Sequence, residues 1–171
     1  MEQTITLERS AVYRGALILV NAEHPLREMD ERGLAAVDIR YPDILIRRCA
    51  ANVLQLILRK ISAGNDIVPV SGYRSSQEQA AIFRHSIQEN GEIFTRKYVA
   101  LPDHSEHQTG LAIDLGLNKD NIDFICPDFP YEGICEGFRR AAPMYGFIQR
   151  YTGAKERITG ISHEPWHFRY V

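Results

Sequence analysis

The run His163-Glu164-Pro165-Trp166-His167-Phe168-Arg169-Tyr170-Val171 decides the fold, because it reads in two ways. Taken as a helix, His163, Glu164 and His167 match H-E-x-x-H, in which both histidines bind zinc and the glutamate is the base. Pro165 has no N–H to give such a helix. Ile158-Thr159-Gly160-Ile161-Ser162 just upstream is β-like, and Trp166 to Val171 is aromatic and β-branched. The helical pattern also needs a third ligand downstream, where only Phe168, Arg169, Tyr170 and Val171 follow. The run therefore reads as a Pro-bent entry carrying Glu164. It leads into a strand with His167 and Arg169 on one face and Trp166, Phe168 and Tyr170 on the other.

A second strand carries a matching donor. In His104-Ser105-Glu106-His107-Gln108-Thr109-Gly110-Leu111-Ala112-Ile113-Asp114-Leu115-Gly116, Thr109-Gly110 reads as a turn and Leu111 to Leu117 as a strand. Leu111, Ile113, Leu115 and Leu117 alternate with Ala112, Asp114 and Gly116. Asp114 thus faces away from the apolar row, with room left by its small neighbours. Two neutral imidazoles, His107 and His167, and the Asp114 carboxylate suit zinc, and three protein ligands leave a fourth position open for water. By spacing alone, His104 or His163 remains an alternative to His107 or His167, as ligand or as a neighbour shaping the pocket. With this donor set zinc keeps a single net positive charge, so its water is less acidified than the pKa of about 7 at an all-histidine site. A general base is then useful, and Glu164 is placed to take the water's proton and pass it to a leaving amine.

Ser71-Gly72-Tyr73-Arg74 follows the apolar Ile67-Val68-Pro69-Val70 strand and precedes a helix opened by a Ser75/Glu78 capping box. Arg74 at this corner can hold an oxyanion or clamp a substrate carboxylate. Ser105 either serves the site or caps its local turn. Asp103, Asp120 and Asp123 are candidates for recognising a substrate amine.

The remaining pattern predicts a strand at Ala16 to Val20, a helix from about Ile44 to Ala63, and a helix from Ser76 to Glu89 stopped by Asn90-Gly91. It continues with a helix from Glu132 to Tyr145 strained by Pro143, and strands near Phe147 to Tyr151 and Trp166 to Tyr170. No repeat or linker divides the chain. Helices early and strands late predict a single α+β domain over residues 1–171, with a small antiparallel sheet beneath the metal. Arg47-Arg48, Arg59-Lys60 and Arg139-Arg140 read as solvated helix faces, Cys49 as core, and His24 and His85 as ordinary polar residues.

The balance of 20 Lys and Arg against 22 Asp and Glu gives no reason to expect a nucleic-acid partner. Ala16 to Val20 is too short for a signal core or a membrane span. Three cysteines, Cys49, Cys126 and Cys135, show no paired spacing and are expected to be reduced. Both features lead to the expectation of a cytoplasmic protein.

Three motifs in order, Ser71-Gly72-Tyr73-Arg74, Ser105-x-His107 to Asp114, and Glu164-x-Trp166-His167, resemble the VanY-type (M15) D-alanyl-D-alanine carboxypeptidases. Ser105 to Gly116, Ile125-Cys126-Pro127, Tyr145-Gly146-Phe147-Ile148 and Ile158 to Val171 resemble the bifunctional VanXY D,D-dipeptidase/D,D-carboxypeptidases. The similarity runs from about Asn21 to the last residue. It implies a LAS/hedgehog-like metallopeptidase fold and one zinc ion per chain, held by His107, Asp114 and His167. It also implies Glu164 as base, Arg74 stabilising the transition state, and Ser105 binding the substrate's terminal carboxylate. The implied substrates are small peptides ending in D-Ala-D-Ala, or the free dipeptide, with a contribution to vancomycin resistance. Two other readings stand beside this one: an exported peptidoglycan hydrolase of the same fold, and a zinc-containing binding module without chemistry.

Overall fold

In the computed structural model, which describes residues 6–28 and 31–171, four strands form one antiparallel sheet. Their spatial order is β3 (Ile67–Ser71), β4 (Ala112–Leu117), β6 (His167–Tyr170) and β5 (Phe147–Gln149). β4 and β6 are the inner strands, and Ala112, Ile113 and Leu115 are fully enclosed. Pro69 is tolerated because β3 is an edge strand, where a missing N–H removes no ladder bond on the open side. The α+β expectation, with an antiparallel sheet carrying the donor residues, holds.

One face of this sheet is the core. Ile113 and Leu115 from β4, Phe168 from β6 and Phe147 from β5 pack with Leu54 and Ile57 of α1 (Arg48–Lys60) and Phe138 of α3 (Gly133–Ala141). Phe168 meets Phe129 and Phe138 edge-on, with ring centroids 5.4 and 4.9 Å apart, the arrangement that aromatic quadrupoles favour. Period-two alternation then leaves Asp114, His167 and Arg169 on the opposite face.

Several elements differ from expectation. The segment from Ala16 to Val20 forms turns and irregular chain rather than a strand, although Val20 is wholly buried. The first long helix starts at Arg48, and Tyr41–Arg47 is instead strand β2, paired antiparallel with β1 (Leu34–Asp38). Ile46 is buried in the strand, and the apolar run Ile44 to Ile46 is too short for spacing to separate strand from helix, so pairing with β1 decides. This shift in phase also leaves Cys49 exposed rather than in the core.

α2 runs from Ser76 to Tyr98, opened by the expected Ser75/Glu78 capping box. Gly91, with φ 80, interrupts it at the predicted stop, but helix resumes beyond it. Pro143 marks the change from α3 to a 3-10 turn over Ala142–Tyr145. The β-like Ile158 to Ser162 instead begins within a short helix, α4 (Glu156–Thr159), closed by left-handed Gly160, whose N–H donates to the Glu156 carbonyl. Glycine capping outweighs the β-branched composition here. His163 to Trp166 is non-helical all the same, and β6 begins at His167. No helix among the described residues is long and apolar enough to cross a membrane.

Candidate metal centre

Strands β4 and β6 are registered with Asp114 directly opposite His167. Opposed residues on antiparallel neighbours share a face with Cβ atoms about 4.5–5.5 Å apart. His167 Nδ1 accordingly lies 2.9 Å from Asp114 Oδ1. His107 enters from a 3-10 turn, Glu106–Thr109, which Gly110 ends at φ 70 while donating its N–H to the His107 carbonyl. His107 Nε2 is 3.1 Å from Asp114 Oδ2. The three residues are buried, with one donor atom from each lying within 4.8 Å of the others.

The rest of the site faces this cluster. Arg74, at the β3-to-α2 corner, donates from Nε to Ser71 Oγ at 2.9 Å, from Nη1 to Gln79 Oε1 at 3.3 Å, and from Nη2 to Asp114 Oδ2 at 3.1 Å. These bonds fix its guanidinium beside the candidate donor atoms. Glu164 is anchored through its backbone N–H to the Tyr151 carbonyl. Its Oε2 is 3.9 Å from His167 Nδ1. Ser105 is buried, its side chain makes no capping bond, and it lines a cavity of about 320 Å³ bounded also by Arg74, His107, Glu164 and Trp166. Trp166 belongs to the core as well.

Burial and charge divide the carboxyl groups. Burial would raise Asp114, but His107 and His167 beside it hold it well below the usual carboxylate range. For Glu164, burial prevails over the lowering by His167, with Asp114 adding repulsion, and its pKa is pushed up to about 8. A carboxyl poised in this way readily takes and returns a proton near neutrality. A divalent cation at the donor set would draw this value down again. His107 is lowered by burial and by Arg74, which favours the neutral imidazole that a metal needs.

The structure separates the alternatives that spacing left open. His104 Nδ1 lies 2.8 Å from the Asn21 carbonyl, and His163 Nε2 lies 2.6 Å from the Tyr131 hydroxyl, on which its ring stacks. Neither belongs to the donor cluster. Asp103 Oδ1 accepts from Gln108 and Asp123 Oδ1 from two backbone N–H groups, while Asp120 is exposed; none of the three lines the cavity. His85, read as an ordinary polar residue, does line it. Arg139 is not a solvated face residue: its side chain is largely buried, bonds to Gln149 Oε1, and lies 3.8 Å from the Tyr131 ring centroid.

A buried ionic cluster behind His167 was not read from sequence. Glu106 is 2% exposed and contacts His167, Arg150 and Arg169. Burial alone would raise its pKa, but the His167 hydrogen bond and the two arginines bring it to about 2. The only sequence signal was its place next to His107 in a turn, where a charged residue normally reads as solvated.

The donor chemistry fits zinc. Two imidazoles and one anionic carboxylate converge, and each imidazole has its other nitrogen against an acceptor: His107 Nδ1 at 2.7 Å from the Gly72 carbonyl, His167 Nε2 at 3.2 Å from Glu106 Oε2. An α+β fold whose sheet and an adjoining turn bring this donor set together, with a further carboxyl group and an arginine alongside, defines the class of metallopeptidase centres. The chain belongs to the VanY family of D-alanyl-D-alanine carboxypeptidases, whose profile matches residues 43–171.

Among relatives, the bifunctional D-Ala-D-Ala dipeptidase and carboxypeptidase VanXYC of Enterococcus gallinarum is 42% identical over 157 residues, 91% of this chain and 83% of that protein. The vancomycin resistance D,D-dipeptidase VanXYg, solved with a D-Ala-D-Ala phosphinate analogue, is 70% identical and superimposes with a TM-score of 0.93. That match covers 96% of this chain and 66% of the VanXYg chain. A mutant of the D,D-pentapeptidase VanY, solved with Zn(II), is 28% identical with a TM-score of 0.69, covering 91% of this chain and 88% of that one.

Proposed function

We propose that the protein is a zinc-dependent D,D-peptidase. It releases the terminal D-Ala from the D-Ala-D-Ala dipeptide, from peptidoglycan precursors ending in D-Ala-D-Ala, or from both, and so contributes to vancomycin resistance. The observation that carries this reading is the cross-strand pair Asp114 and His167, closed by His107, with Glu164 left outside the donor set. Similarity to VanXYC and VanXYg supplies the substrate class.

One zinc ion per chain, held by His107, Asp114 and His167, would polarise the scissile carbonyl and make water a better nucleophile. Glu164 takes the proton the attacking water loses and delivers it to the amine nitrogen of the departing D-Ala. Arg74 donates to the oxyanion that develops on the carbonyl oxygen. Ser105, on the cavity wall, offers its hydroxyl to the terminal carboxylate. Trp166, Tyr151 and the apolar side of the cavity exclude bulk water, which strengthens each of these interactions.

The free state of all three cysteines supports a cytoplasmic location, which cell fractionation tests. Incubation with D-Ala-D-Ala and with a pentapeptide ending in D-Ala-D-Ala tests the activity. Release of D-Ala from at least one is expected, and hydrolysis of neither by the zinc-loaded protein overturns it in favour of a binding module.

A further inference from the structure

Glu106 does not line the cavity beside the donor cluster, yet it is among the most enclosed charged side chains described, and its two oxygens serve different partners. Oε1 accepts from Arg150 Nε at 2.8 Å and lies 3.5 Å from Arg169 Nη1. Oε2 faces His167 Nε2 at 3.2 Å. Arg169 is itself pinned, donating from Nη2 to the carbonyls of Ala16 and Ile18, each at 2.8 Å, and from Nε to the Tyr170 carbonyl at 3.0 Å. A carboxylate held this firmly dictates the orientation of the ring it contacts. Because an ionised carboxylate only accepts, the contact keeps a proton on His167 Nε2 and turns Nδ1 toward Asp114.

His107 is set the opposite way. Its Nδ1 meets the Gly72 carbonyl, a group that also only accepts, so Nε2 faces the donor cluster. The two histidines thus turn different nitrogens toward Asp114, and each has an acceptor against the nitrogen behind it.

We infer that Glu106 is a positioning residue: it fixes the tautomer and ring orientation of His167 so that Nδ1 is presented to the metal, and it is held in place by Arg150 and Arg169. Through Arg169 the backbone at residues 16 and 18 becomes part of the support of a centre whose ligands lie in the second half of the chain. This inference rests on the metal reading of the site. An amide has one accepting oxygen and cannot serve both Arg150 and His167, so Glu106→Gln removes the support while nearly conserving volume.

The test measures zinc affinity of the purified full chain by competition with a chromophoric chelator, for wild type and Glu106→Gln. The variant is expected to bind zinc about 10- to 100-fold more weakly. Long-range ¹H–¹⁵N spectra of the unsubstituted zinc-loaded protein give a second readout that does not depend on the variant folding. They are expected to show the His167 proton on Nε2 and the His107 proton on Nδ1. A wild type that binds zinc while the variant binds it equally well overturns this inference alone, as does a His167 proton on Nδ1. A wild type that takes up no zinc overturns the metal reading and this inference together.

Discussion

Asp114 and His167 stand directly opposite each other across the β4–β6 ladder, with Oδ1 and Nδ1 2.9 Å apart. The site is therefore a consequence of strand register. A slip of β6 by one residue would send His167 to the core face and bring an apolar ring such as Phe168 opposite Asp114.

Because the ladder itself builds the centre, weakening its apolar side should loosen the ligands as well. Phe168→Ala, which removes a fully buried ring between Phe129 and Phe138, is expected to cost about 3–5 kcal/mol of stability. Denaturant unfolding of both proteins measures this. A loss within the error of the extrapolation would show that the aromatic cluster does not support the sheet.

Glu164 and His107 are expected to fail in different ways. Glu164→Ala should retain zinc while turnover falls by about 10²- to 10⁴-fold, the usual worth of a positioned acid–base group. His107→Ala should lose both metal and turnover. Metal content and rate measured on the same preparations separate the two outcomes, and full activity in the Glu164 variant would refute its role as base.

Arg74 donates to Asp114 in the free protein and is assigned to the developing oxyanion during turnover. Arg74→Ala is expected to lower kcat by about 10²- to 10³-fold, the cost of losing one oxyanion donor. Steady-state kinetics checks this. A change confined to KM would instead assign Arg74 to ground-state carboxylate binding.

Gly72 has no space for a side chain, since a Cβ there would collide with the Leu45 carbonyl. Gly72→Ala is expected to shift the segment just after β3 whose Gly72 carbonyl faces His107 Nδ1 and to cost about 1–3 kcal/mol from overpacking. Its zinc affinity should fall with its stability. Unchanged affinity would show that the Gly72 carbonyl does not orient His107.

The donor residues were legible because strand alternation and short motifs are local. Leu111 to Leu117 and Trp166 to Tyr170 each reveal which side chains share a face, and Ser75 with Glu78 marks a helix start. The β1–β2 hairpin was not legible, since Ile44, Leu45 and Ile46 run into the periodic pattern of α1 and only pairing with Leu34–Asp38 distinguishes them. Ile158 and Thr159 have strand-like composition, but Gly160 offers a helix cap a residue later, and Ile158 stays exposed. Glu106 was the deeper omission. A carboxylate in a turn looks solvated until the fold brings Arg150 and Arg169 against it, and nothing local announces that meeting. Family resemblance singled out His107, Asp114 and His167, which the fold brings together, whereas the ionic cluster behind His167 arises only from long-range contacts.

The central claim is tested most directly by titrating metal-free protein with zinc while D-Ala release from D-Ala-D-Ala and from a D-Ala-D-Ala-ending pentapeptide is measured. Release from at least one substrate should rise to a plateau at about one zinc per chain, the capacity of a single open three-ligand site, and vanish on chelation. A protein that holds its zinc and releases D-Ala from neither substrate would contradict the account.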